Sequence, residues 1–155
     1  MDRKDLEILK VLQEDATVSL AELAESVNLS STPCWRRVQK LRDEGVIRRQ
    51  VVLCDPGKLN VGLSTFVLVR TSHHDEAWMT RFVEAANGIP EIVEIYRMSG
   101  DIDYLLKIVV PDMAGYDGVY KRLIAAVDLL DVSATFAMEV IKSSTALPLE
   151  YALGG

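Results

Sequence analysis

The sequence predicts an α+β chain of two modules: a winged helix-turn-helix over residues 1–54 and, after a linker at 55–62, a βαββαβ ferredoxin-like sandwich over 63–155. Three observations carry this. Helical apolar periods and a capping box fill the first 45 residues, turn residues cluster at Asp55-Pro56-Gly57-Lys58, and β-rich runs then alternate with two helical stripes. The bulk properties agree. With 155 residues, 49% of them hydrophobic and 26% charged, the chain is long enough for two small modules and apolar enough to fold.

The first helix is expected over 5–13, where Leu6, Ile8, Leu9, Val11 and Leu12 fill a wide arc. A second follows Ser19-Leu20-Ala21-Glu22, a capping box in which Ser19 accepts from the N3 amide and Glu22 reaches back. Leu20, Leu23, Ala24 and Val27 form its single stripe. The period breaks at Asn28-Leu29-Ser30, and Ser31-Thr32-Pro33 supplies a cap and a first-turn proline for a third helix over 32–44.

That third helix has two dissimilar faces. At 100° per residue, Cys34, Val38 and Leu41 share the inner face with Trp35 at its edge; Thr32, Arg36, Gln39 and Lys40 point outward and Arg37 flanks them. Gly45 ends the helix. Residues 46–53 read as a strand carrying Arg48 and Arg49, placed like a wing. Within 31–49 there are six basic side chains (Arg36, Arg37, Lys40, Arg42, Arg48, Arg49) against two acidic ones, although the whole chain has a net charge of −6. A ligand senses that local excess, because charges farther than about 8–10 Å are screened at physiological salt. Arg reads guanine with two hydrogen bonds, Gln reads adenine, and Thr offers a hydroxyl and a methyl, so these residue types, together with Ser31 at the helix start, fit double-stranded DNA. The alternative is a solvated basic helix face.

In the second module, strands are expected over 63–71, 91–98, 103–110 and 132–142, and helices over 75–87 and 112–127. Met113, Tyr116, Tyr120, Leu123, Ile124 and Val127 mark the stripe of the later helix. Residues 143–149 can add an edge strand, limited by Pro148. Both helices of this topology cover one sheet face, yet the strands carry apolar residues on both, as at Phe66, Leu105 and Phe136. A two-fold homodimer packed sheet to sheet is the expected cover, and it would present two reading helices to a pseudo-palindromic operator.

Other classes are argued against. No apolar run approaches the roughly 18 residues of a membrane span, since Lys107 interrupts the richest stretch. A start of Met-Asp-Arg-Lys-Asp lacks the apolar block of a signal peptide, and two cysteines, Cys34 and Cys54, suit a reducing compartment; a cytoplasmic protein is expected. His73 and His74, beside Asp75 and Glu76, are the candidates for acid–base or metal chemistry. No third spaced ligand, nucleophile motif or phosphate loop accompanies them, so no metal or cofactor is expected and a capped polar loop is the simpler reading.

The stretch Leu29-Ser30-Ser31-Thr32-Pro33-Cys34-Trp35-Arg36-Arg37-Val38, followed by Leu41 and Glu44-Gly45-Val46-Ile47, together with Ser99-Gly100-Asp101-Ile102-Asp103-Tyr104-Leu105-Leu106, resembles the Lrp/AsnC (feast/famine) transcription regulators over essentially the whole chain. The resemblance implies a DNA-binding module, a RAM-type effector and oligomerisation module, dimers that assemble to octamers, and a small amino acid such as leucine or methionine as effector. It implies an effector site near the loop matching Ser99 to Asp103. Gly100 permits a tight turn and close approach of amides to a carboxylate, Asp101 or Asp103 can accept from an ammonium group, and Met98, Tyr104, Ser133 and Thr135 can line the side-chain pocket. Sirohaem decarboxylases, which use a similar two-domain fold, give the enzymatic alternative.

Overall fold

The computed structural model describes residues 1–73 and 75–153. They gather into two compact units, one made of Met1–Val52 with the chain from Ile141 onward, the other of Leu53–Val140.

The helical unit contains α1 (Arg3–Glu14), α2 (Leu20–Ser26) and α3 (Ser31–Asp43). Each begins where local chemistry supplies the free amides of a first turn with a partner. Asp2 caps α1 in a reciprocal box with Asp5, and Ser19 and Glu22 form the expected box on α2. At α3 the cap is Ser30, one residue earlier than the sequence indicates, and its side chain makes no capping bond. The α2–α3 turn uses Asn28 at φ +53°, a left-handed position that Asn tolerates, and Gly45 at φ +71° ends α3. Ile8, Leu9, Leu23, Ala24, Val27, Cys34, Val38 and Leu41 form one buried cluster. Packing of this apolar face, more than helix propensity, holds seven-residue α2 in place, since so short a helix is unstable alone.

Residues 46–53 are not the strand expected for the wing: 46 and 47 form a bend and 48–53 have no regular secondary structure. A strand needs a neighbour for its amides and carbonyls, and none of the described residues pairs with this segment; Val52 is 88% exposed. The segment is instead fastened by single bonds, such as Ile47 N–H to the Leu41 carbonyl at 3.0 Å.

The second unit contains β1 (Leu63–Arg70), α4 (Glu76–Asn87), β2 (Ile92–Arg97), β3 (Tyr104–Val110), α5 (Met113–Ala126) and β4 (Asp131–Phe136). The sheet is antiparallel with order β2-β3-β1-β4, the ferredoxin-like arrangement. Register places Val67 opposite Leu106, and both are buried beneath the helices with Val69, Ile108 and Val110. From α4, Trp78, Phe82 and Ala86 enter this core; from α5, Val119 and Leu123 do so, joined by Val127 just beyond the helix. The stripe of α5 therefore lies one step round from that read in the sequence, with Met113 57% and Ile124 43% exposed. The opposite sheet face carries Phe66, Leu68, Leu105 and Val109, exposed or half-buried, beside Lys107, whose ammonium donates to Glu94 at 2.9 Å.

β4 stops at Phe136, and residues 143–149 do not join the sheet. The sequence groups them with the second module; in the structure they pack with the helical unit. Pro148 has no amide to give a sheet edge.

Candidate functional site

The outer face of α3 is a surface built by burying its inner one. Cys34 and Leu41 are wholly buried and Val38 nearly so, which turns Ser31, Thr32, Arg36 and Lys40 to solvent with Gln39 half-exposed. Burial pushes the Cys34 thiol above its ordinary pKa, as suits a packing residue. Trp35 is 51% exposed beside this face. Arg48 and Arg49 are exposed on the irregular segment after the helix.

Arg37 has a different position from its neighbours. Its Nη1 donates to Asp2 and to Asp5, each at 2.7 Å, and Asp5 is 1% exposed. The Arg37 guanidinium holds the Asp2 carboxyl below the usual range, and the two carboxylates in turn raise Arg37. One end of the guanidinium is thereby committed to α1, so Arg37 positions α3 and is not simply a free phosphate contact. Asp2 and Asp5 at i, i+3 mark the start of α1 in the sequence but do not identify Arg37 as their partner.

The expected effector residues are only partly brought together. Met98, Asp103 and Tyr104 line a cleft of about 320 Å³ between the start of α4 and the β2–β3 turn. Gly100 stands in that turn at φ +115°, with open space where a Cβ would be, so the backbone alone favours glycine there. Ser99 and Asp101 are exposed in the same turn. Asp103 accepts from the Thr71 amide at 2.8 Å, fastening the turn to the end of β1. Tyr104 is 7% exposed and its ring lies 4.6 Å from Phe82 and 6.0 Å from Trp78, so it is a core residue with one edge at the cleft.

Ser133 and Thr135 are elsewhere. They pair with Leu68 and Phe66 of β1, so they sit on the face away from the helices and a strand removed from β3. Alternation decides this: Val132, Ala134 and Phe136 take the helix side.

Sequence reasoning missed Arg97, Met79, Asp75 and Glu76 as cleft residues. Arg97 ends β2 opposite Tyr104 in register, and its strand-end position next to the loop is the one sign that could have marked it. Asp75 caps α4 through the Trp78 amide at 2.9 Å, and that bond holds its carboxyl below the usual range. His73, a candidate for acid–base work, lines this cleft with its backbone tied to Thr71; His74 lies outside the described residues. Among the described residues no group of three His, Cys, Asp or Glu side chains can hold a metal ion, and no helix is long and apolar enough to cross a membrane. A guanidinium, several carboxylates, two thioethers and a tyrosine edge in one cleft are complementary to a small zwitterion with an apolar side chain.

Two family descriptions cover these regions: residues 1–48 match a winged helix-turn-helix DNA-binding domain, and residues 64–147 match the Lrp/AsnC ligand binding domain. The chain belongs to the Lrp/AsnC family of transcriptional regulators. A DNA-binding transcriptional activator of Escherichia coli K12, DecR, is 47% identical over 97% of this chain and 99% of its own. The crystal structure of an AsnC family transcriptional regulator from Agrobacterium tumefaciens superposes with a TM-score of 0.96 at 56% identity, covering 99% of this chain and 100% of that one. A transcriptional regulator of Neisseria meningitidis solved in complex with L-Met gives a TM-score of 0.93 at 32% identity, with 99% of both chains covered. The Lrp/AsnC assignment makes this chain a regulator and not an enzyme, and the decarboxylase alternative finds no support among these relatives.

Proposed function

We propose that this Lrp/AsnC protein reads a pseudo-palindromic operator with α3 and that a small amino acid in the β2–β3 cleft tunes its binding. The observation that carries the reading is the split of α3 into a fully packed inner face and an exposed face of Ser31, Thr32, Arg36, Gln39 and Lys40. In the major groove Arg36 pairs with a guanine edge and Gln39 with adenine; Lys40, Arg48 and Arg49 meet phosphates. The protein acts as a homodimer, supported by the apolar open sheet face, and the dimers assemble to an octamer as their family resemblance implies. A cytoplasmic site of action follows from the DNA partner.

The effector is proposed to be methionine or leucine. Arg97 takes its carboxylate, the carboxylates at the start of α4 and Asp103 face its ammonium group, and Met79 and Met98 flank its side chain. The L-Met carried by the Neisseria relative supports methionine as the first probe. Effector binding changes DNA affinity only as far as it binds the two states unequally.

A gel-shift titration against the gene's upstream region tests the DNA arm. Specific, salt-sensitive binding is expected, with Arg36→Ala costing about 1–3 kcal/mol of operator affinity and leaving the melting temperature unchanged. Absence of specific binding by the unaltered chain refutes the reading. A thermal-shift screen over the amino acids tests the effector arm: a ligand at a hundred times its Kd stabilises by about 2.7 kcal/mol. The shift with L-methionine should vanish in Arg97→Ala.

A further inference from the structure

We infer that the C-terminal segment 144–150 is a clip for the DNA-binding module, docked on the end of α1 and forming a second covalent tether to the ligand-binding module. Gln13, near the C-terminal end of α1, pairs its side-chain amide with both backbone groups of Leu147. The Leu147 amide donates to Gln13 Oε1 at 2.7 Å, and Gln13 Nε2 donates to the Leu147 carbonyl at 3.2 Å. This is the donor–acceptor pair that a neighbouring strand presents to a strand residue, here supplied by one side chain. Pro148 follows, whose fixed φ limits the freedom that docking removes. Leu149 is half-buried between exposed neighbours and packs against the buried cluster containing Ile8, Leu9 and Leu41. Both ends of the contact are shaped: the Ala146 amide donates to Ser144 Oγ at 3.2 Å before it, and a short 3-10 turn, Glu150–Leu153, follows.

An undocked tail needs none of these features. With the clip in place, the chain leaves the helical unit after Val52 and re-enters it at Ile141, so two segments join the units where the sequence suggests one linker. Two tethers restrict reorientation more than one does. A change that displaces the end of β4 then acts on α1, which packs on α3, as well as on the linker after α3. This consequence for DNA rests on the regulator reading; the docking itself does not.

The full-length protein is compared with Gln13→Ala and Leu149→Ser by amide hydrogen exchange and operator titration. Alanine is the better helix former at an exposed helix site, so an ordinary surface glutamine predicts no loss at position 13. The clip predicts a Leu147 amide protected at least about tenfold over a free peptide in the unaltered chain, with protection lost in Gln13→Ala. A Leu147 amide exchanging at the free-peptide rate in the unaltered chain overturns the clip, and protection surviving in Gln13→Ala overturns its assignment to Gln13. Release is expected to weaken operator binding at least about threefold. Equal affinities with the clip shown to be released overturn the tether. Absence of operator binding by the unaltered chain would instead defeat the regulator reading and leave the exchange result standing.

Discussion

The face of α3 and the cleft beside the β2–β3 turn are built in opposite ways. The first is one side of one helix, its exposed residues held by a neighbouring buried stripe, with Arg37 tied to α1 and Arg42 donating to Gln50. The second is assembled from the loop before α4, α4 itself, the end of β2 and the start of β3, and several of its members also hold the fold. Tyr104 belongs to the aromatic core, Asp103 fastens Thr71, and Asp75 caps α4. Substitution on the helix face should therefore separate function from stability, whereas substitution in the cleft should mix them.

The largest effect expected from this contrast is at Tyr104. Tyr104→Ala removes a ring packed on Phe82 and Trp78 and should destabilise the second unit by about 3–5 kcal/mol, measured as a lowered urea midpoint. Tyr104→Phe keeps the packing and reads the hydroxyl alone. If Tyr104→Ala instead left stability intact, the claim that cleft and core share residues would fail.

Arg37 is the exception on the helix face and should behave like a cleft residue. Arg37→Ala leaves a buried Asp5 acceptor short of its partner, for a loss of about 1–3 kcal/mol in the helical unit; the exposed Asp2 contact adds little. Its pH dependence has a definite sign. The folded-state pKa of Asp2 is depressed, so its contribution is present above the unfolded value of about 4 and is lost as pH falls through the lower folded value. The stability difference between the unaltered protein and Arg37→Ala should narrow on acidification below about pH 4 and stay flat from there to neutrality. A gap that widened in acid would contradict the ion pair.

The smallest effect belongs to Ser133 and Thr135. Both are exposed on the face opposite the cleft, so Ser133→Ala and Thr135→Ala should change the methionine-induced thermal shift by less than about 0.5 kcal/mol. A loss of the shift comparable to that of Arg97→Ala would place the effector on the open face of the sheet and remove the cleft from the mechanism.

These differences track what a linear pattern can encode. The Ser19–Glu22 capping box, the inner stripe Cys34–Val38–Leu41 and the Asp75 cap were legible because each is fixed by residues three or four apart. The absence of a strand over 46–53 was not, because β-rich composition supplies side chains that suit a sheet but does not show that a neighbour to pair with is missing. Arg97 went unread because its strand-end position is its one local mark, and only the register of β2 on β3 brings it opposite Tyr104.

The sequence by itself determined the two modules, the buried and exposed faces of α3 and the βαββαβ order, since periodicity, caps and turn residues act over a few positions. Tertiary structure alone decided that Arg37 is tied to Asp2 and Asp5, that Ser133 and Thr135 face away from Tyr104, and that the C-terminal segment docks on Gln13. The Arg37 and Gln13 contacts join residues 32 to 134 positions apart, and which distant groups meet depends on how the packed elements close upon one another.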